Sequence, residues 1–243
     1  RGQTADRSSP ESAGGKRQGL WLSKAAQRSS RSGRDMLSEQ GRRSDTPFPG
    51  SRRRLATNAA LASTAAGLPS LSTNTLDRQF DVAVLDTAWV TDITCIRTCE
   101  GFAYLAVGID LYSRRVIGLA MQSHYTTDVV LQALFMAVWR RKPRNQVLIH
   151  SEQGSQFTSM DWAAFLRHHN LVHSMSRRGN CHDNAVAESF FNLLKRDVVG
   201  VYRSRNEARQ DVFDYIEMFY HPKRKHVRNG MLSPVEFEKQ QNI

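Results

Sequence analysis

The chain predicts a mixed α/β domain on a central five-stranded sheet flanked by helices, preceded by a disordered basic tail. Three observations predict it. Five short apolar runs between residues 88 and 174 have strand character. Helix-periodic stretches separate the later runs and follow the last one. The first 75 residues have a different texture, rich in Ser, Arg, Gly and Ala, with Trp21 and Phe48 their only aromatics.

The strands come first. Ala88 to Ile96, Phe102 to Leu111 and Arg115 to Gln122 are β-branched and aromatic, and Tyr112-Ser113-Arg114 turns the second into the third. Thr126 or Thr127 can cap a helix reaching Arg141, with Val130, Leu131, Leu134, Phe135 and Val138 on its apolar stripe. Pro143 closes it. Val147 to His150 is a fourth strand, and a loop around Gly154 follows its carboxyl end. Ser159 can cap a helix from Met160 to His169, and Leu171 to Ser174 is the fifth strand. Ser176 to Asp183 is polar and is expected to be a mobile loop. Helices follow over Asn184 to Val198 and Asn206 to Tyr220, the latter stopped by Pro222. Leu232 to Glu238 has the pattern of a short capped turn of helix. Phe190, Phe191, Leu194, Tyr215, Ile216 and Phe219 fall at helical spacing as core residues. The division expected is a tail over 1–75, a core over 76–200 and a helical extension over 201–243.

Charge supports that division. The net charge is +11, yet residues 1–75 hold 13 Lys and Arg against 5 Asp and Glu, and the remainder holds 21 against 18. The tail has too little apolar surface to offset its ordering entropy. Its Arg52-Arg53-Arg54 can touch phosphates or simply be solvated. Cys95, Cys99 and Cys181 make no disulfide framework and lack partners at zinc spacing, so reduced, buried or half-buried thiols are expected. No apolar run approaches the roughly 18 residues of a membrane span, and no secretory leader is recognisable.

Three acids stand in unusual settings. Asp92 lies in Trp89-Val90-Thr91-Asp92-Ile93-Thr94, within a strand. Glu152 lies in His150-Ser151-Glu152-Gln153-Gly154-Ser155-Gln156-Phe157, just after a strand. Glu188 lies in Gly179-Asn180-Cys181-His182-Asp183-Asn184-Ala185-Val186-Ala187-Glu188, on a helix. Acids so placed can converge on one sheet edge. Hard divalent cations take oxygen ligands of this kind and leave positions for phosphate and water. Composition alone does not establish this, because 23 acidic residues offer many accidental triples.

These motifs are similar to those of bacterial insertion-sequence transposases of the IS-three (OrfB) group, which have a retroviral-integrase-like core and an RNase H-like fold. The resemblance runs over residues 89–240. It is carried further by Tyr104 to Gly118, Ser174 to Phe191, Leu194-Lys195, Tyr215 to Tyr220 and Leu232 to Glu238, and by the 35 residues between the second and third acids. It implies that Asp92, Glu152 and Glu188 are metal-binding catalytic acids, served by Mg²⁺ with Mn²⁺ as substitute. Asn184 and Lys195 share the helical face of Glu188, and Lys195 resembles the family's basic residue near the transposon end. Arg177 and Arg178 would flank DNA in the active-site loop. The plain alternatives are an ordinary strand acid at Asp92 and solvated charges at Lys195, Arg177 and Arg178.

The resemblance also implies 3′-end cleavage and strand transfer of insertion-sequence DNA into a target, by a homo-oligomer on DNA with a possible upstream DNA-binding partner protein. It implies a bacterial, cytoplasmic, nucleoid-associated chain with no membrane role. Three departures stand out. The family has Asp where this chain has Glu152, so impaired activity is expected, and a catalytically inactive remnant that binds DNA weakly is the alternative. Cys95 and His182 stand where the family usually has Tyr. The helix-turn-helix-like segment usual upstream is not recognisable, which suggests a shifted reading frame. An RNase H-like nuclease is a third reading, disfavoured by the transposase-type motifs.

Overall fold

The computed structural model describes residues 73–198 and 200–241, without the side chain of Cys181. The expected basic tail therefore lies outside the described residues except for 73–75. Those three already touch the domain: the Thr75 amide donates to Ser174 Oγ, and Asn74 Nδ2 donates to Asp183.

Five strands form one sheet: β1 (Ala88–Thr98), β2 (Gly101–Asp110), β3 (Val116–Gln122), β4 (Val147–Ser151) and β5 (Leu171–Met175). Their order is β3-β2-β1-β4-β5. β1, β2 and β3 form an antiparallel meander, whereas β4 and β5 add parallel to β1. The turn between β2 and β3 is where the sequence places it. There Arg114 takes a left-handed conformation, and buried Asp110 accepts from the Ser113 amide and hydroxyl.

Helix α1 (Thr127–Arg141) packs on this sheet through Val129, Val130, Ala133, Leu134 and Ala137. The expected stripe is shifted: Phe135, assigned there to the core, is exposed, and the small residues Ala133 and Ala137 take the contact. The reason is the close approach of helix and sheet. A Cβ on Gly118 of β3 would lie 2.0 Å from the carbonyl oxygen of Ala133. Gly108 pairs with Gly118 across the ladder. Replacing Gly118 with Ala is expected to force the helix outward and cost about 1–3 kcal/mol or more. A melt of that variant coincident with the parent would overturn this packing account. Thr126 is the N-cap residue, but its hydroxyl makes no capping bond.

Helix α2 (Met160–His168) starts where expected, with Ser159 Oγ accepting from the Trp162 amide. Trp162, Phe157, Trp89 and Ile149 join the α1 residues in one core cluster. Strand residues alternate sides, so Val90 and Asp92 turn away from that cluster. On their side run α3 (Ala185–Asp197) and α4 (Arg205–Tyr215), both in contact with β1. Phe190, Phe191, Leu194, Tyr215 and Ile216 are buried as expected, and Phe219 is half-buried.

Pro222 does not stop the helix after α4. A π-helical turn, Ile216–Tyr220, leads into a last turn, His221–Lys223. The His221 amide donates to Ile216 O and the Arg224 amide to Phe219 O, five residues back in each case. The wider turn accommodates a ring that carries no N–H. Helix α5 (Pro234–Gln240) has a full capping box between Ser233 and Glu236. Its Glu238 is buried and paired with Arg115 at 2.6 Å and with Arg141. Cys95 and Cys99 are exposed rather than buried. Cys95 sits on β1 between buried Thr94 and Ile96, so alternation turns it outward. Among the described residues no helix is long and apolar enough to cross a membrane.

Candidate active site

The fold brings Asp92, Glu152 and Glu188 to one cleft of about 400 Å³. Asp92 comes from the middle of β1, Glu152 from the first position after β4, and Glu188 from the first turn of α3. The parallel pairing of β1 with β4 sets the carboxyl end of β4 beside Asp92.

Asp92 is buried, and its carboxylate accepts the Ile93 amide at 2.7 Å. Burial pushes its pKa up to about 7, and the neighbouring charges of Glu152 and Glu188 push the same way. The Ile93 bond and the Lys195 charge oppose the rise. An acid held near 7 in the fold, against 3.8 normally, makes the fold lose stability as pH rises between those values. In chelator at pH 8, Asp92→Asn is therefore expected to melt above the parent, by a few kcal/mol at about 1.4 kcal/mol per pKa unit. The difference should vanish near pH 4. An Asn variant no more stable than the parent at pH 8 would show that burial and the neighbouring acids do not raise the Asp92 pKa.

Glu152 has a neighbour that no motif revealed. Tyr125, from the segment between β3 and α1, lies beside it, and burial together with the Glu152 and Asp92 charges pushes that phenol up to about 12. One Glu152 carboxylate oxygen and the Gln156 amide oxygen also crowd Gly154, 3.3 Å and 3.0 Å from where a Cβ would stand. The buried Gln156 Oε1 has no hydrogen-bond partner.

Behind the acids lies a polar anchor. His150 is buried, with Nδ1 2.9 Å from Ser174 Oγ and Nε2 3.0 Å from Ser176 Oγ. Ser174 Oγ already accepts the Thr75 and Leu76 amides, so its proton points to Nδ1 and Nε2 carries the imidazole proton. Burial pushes His150 down to about 4 and keeps it neutral.

The loop after β5 is anchored rather than free. Asp183 is fully buried and accepts from the Arg177 amide, Arg177 Nε and Arg177 Nη2, each at 2.9 Å, and from Arg78 Nε at 2.8 Å. The Arg177 guanidinium holds the Asp183 carboxyl far below its usual range. Arg177 lines the cleft, but its side chain is engaged with Asp183 and Asp77. Arg178 also lines the cleft, is exposed, and has no ion-pair partner among the described residues. Asn184 lines it too, buried, with an unpartnered Oδ1. Lys195 is exposed on α3 outside the lining, though within electrostatic reach of Asp92.

The chemistry of three carboxylates around one cleft fits a divalent cation. Their spacing is not yet a cage: among the described residues no three His, Cys, Asp or Glu are gathered closely enough to hold a metal ion. Binding would therefore draw the side chains inward.

Residues 86–181 match the family model for an integrase core domain, and residues 188–241 match a second integrase core domain model. The transposase InsF for insertion sequence IS3A of Escherichia coli strain K12 is 45% identical over 174 residues, covering 71% of this chain and 60% of that protein. The transposase for insertion sequence element IS904 of Lactococcus lactis is 38% identical over 168 residues, 68% of this chain and 66% of that protein. A chain in the simian T-cell lymphotropic virus intasome structure is similar with a TM-score of 0.49 and 14% identity, over 62% of this chain and 55% of that one. The chain belongs to the integrase-core family, as a relative of the insertion-sequence transposases of the IS-three group. It spans about 60% of the length of the first of those relatives.

Proposed function

We propose that this chain is the catalytic core of an insertion-sequence transposase, acting by metal-dependent 3′-end cleavage and strand transfer and impaired by Glu152. The observation that supports it most directly is the convergence of Asp92, Glu152 and Glu188 on one cleft, with Asp92 pushed up to about 7. Burial is the larger cause of that rise and the repulsion from Glu152 and Glu188 adds to it, and a bound cation offsets both. The three carboxylates would hold Mg²⁺, or Mn²⁺ in its place, which when bound activates the attacking oxygen and stabilises the leaving one. In the first step water opens a phosphodiester and leaves a 3′-hydroxyl. In the second that hydroxyl attacks a target phosphodiester, whose own 3′-oxygen departs.

The chain's other residues position DNA. Arg178 and Lys195 are free to meet phosphates, and the Asn184 amide faces the cleft. Arg177 acts through Asp183, shaping the loop that carries Arg178. The working form is a homo-oligomer on the element's ends and target DNA, with an upstream DNA-binding partner and a nucleoid setting in a bacterial cytoplasm.

The test is strand joining with pre-cleaved end DNA in Mg²⁺ and in Mn²⁺, comparing the parent with Asp92→Asn and Glu188→Gln. Loss of any joining in both variants is expected. Joining that persists in them sinks the assignment. A second reading, an inactive remnant that binds DNA weakly, is favoured by the longer Glu152 side chain lying against Gly154 and by the open spacing of the acids. Metal-independent DNA binding with no joining under any metal would select it.

A further inference from the structure

A second pocket lies on the opposite side of α3. Asn184, Glu188, Phe191 and Lys195 share one helical face, and Val186, Ser189 and Phe190 share the other. There a cavity of about 170 Å³ is bounded by Arg114, Val186, Ser189, Phe190, Tyr220 and His226, with Arg228 at its side. Nothing in the catalytic reading uses it.

Its polar groups are incomplete. Arg114 Nη2 donates to Phe80 O at 3.0 Å, but Arg114 Nη1 is buried with no partner. Arg114 has no ion pair among the described residues. The neighbouring arginines do: Arg228 pairs with Asp81 at 2.8 Å and Arg224 with Asp197 at 3.3 Å. His226 Nε2 is likewise buried without a partner. Burial and the charge of Arg228 push Arg114 down to about 10, and burial with the charges of Arg224 and Arg114 pushes His226 down to about 4. Asp81 and Asp110 act on Arg114 only through space; a largely buried guanidinium with no direct ion pair is costly, and an unmade buried hydrogen bond adds to the cost.

We propose that this pocket is an anion site that takes the phosphate of a phosphate ester, with Arg114 as the charged donor and His226 and Ser189 completing the shell. A guanidinium fork matches phosphate oxygens. The volume exceeds that of a single ion, since one water occupies about 30 Å³. The walls of Phe190, Tyr220 and Val186 suit the carbons of an ester. The phosphate can come from a DNA backbone or from a free phosphate compound.

The test uses the full chain in chelator and two variants outside the catalytic cleft. Arg114→Met removes the donor. Val186→Phe fills the cavity and leaves Arg114 in place, so it reads the pocket even if the first variant fails to fold. Inorganic phosphate titrated by calorimetry is expected to bind the parent, with affinity at least tenfold weaker in each folded variant. Binding should also shift the His226 imidazole resonance. No binding to the parent, or equal binding to both variants, overturns the site and leaves water as the partner of the two groups. Duplex DNA binding against salt separates the sources. A slope of log affinity on log salt reduced by about one in the variants assigns a DNA phosphodiester. An unchanged slope with phosphate binding intact in the parent assigns a free phosphate compound. Neither result depends on strand joining, so the site stands or falls apart from the proposed catalysis.

Discussion

Glu152→Asp is expected to raise strand joining by about 10²-fold, given the sensitivity of such sites to small displacements. The extra methylene moves the carboxylate by about 1.5 Å. In the structure that longer arm ends against Gly154, with the Tyr125 phenol nearby. An Asp here is too short to be held in the same place, and its carboxylate is freed to meet a metal with Asp92 and Glu188. Mg²⁺ demands near-octahedral distances, so the gain should be larger in Mg²⁺ than in the more tolerant Mn²⁺. The measurement is joined product per unit time on pre-cleaved ends, with the upstream DNA-binding segment of a relative fused to both chains. Equal rates would mean that Glu152 already reaches the metal. No joining by either chain would place the defect elsewhere in the core.

Asp183→Asn is expected to lower the melting temperature by roughly 5 °C or more, and to open the loop after β5. Its buried carboxylate organises Arg177, Arg78 and Asn74 at once. An amide of the same shape cannot accept from all of them, and its own N–H₂ would face their donors. Arg78 would then lose its counter-charge and Arg177 would keep only Asp77, beside a cleft lined by Arg178. Rapid tryptic cleavage after Arg177 or Arg178 is the direct readout. A variant that melts with the parent and resists trypsin would show that the loop is held by other contacts.

Much of this architecture was legible in the sequence, and the reason is periodicity. β1 to β5 are runs of Val, Ile and Leu long enough to define strands, and the acids' motifs follow them at fixed places. Ser159 and Ser233 announce their helices because capping is local chemistry, complete within four residues. What could not be read depends on distance. Phe135 fits an apolar stripe, but the approach of α1 to Gly118 gives the contact to Ala133 instead. Tyr125 belongs to no pattern and reaches Glu152 only once the sheet has formed. Asp183 lies within a recognisable motif, yet its partners Asn74 and Arg78 are more than a hundred positions away. Pro222 signals a stop by its ring alone, and the π turn that admits it is invisible to such a rule.

The pairing of Glu238 with Arg115 joins residues 123 positions apart. Arg141, also paired with Glu238, lies on the helix that covers the sheet. During synthesis at about 5–20 residues per second, both arginines emerge several seconds before their counter-charge. Until then half-exposed Arg115 and the more deeply placed Arg141 have no acid from α5. The sheet and α1 can assemble in that interval, but their edge stays unsealed and open to chaperones and proteases. A chain that ends before α5 is therefore expected to fold less stably, with Arg115 and Arg141 both left without Glu238.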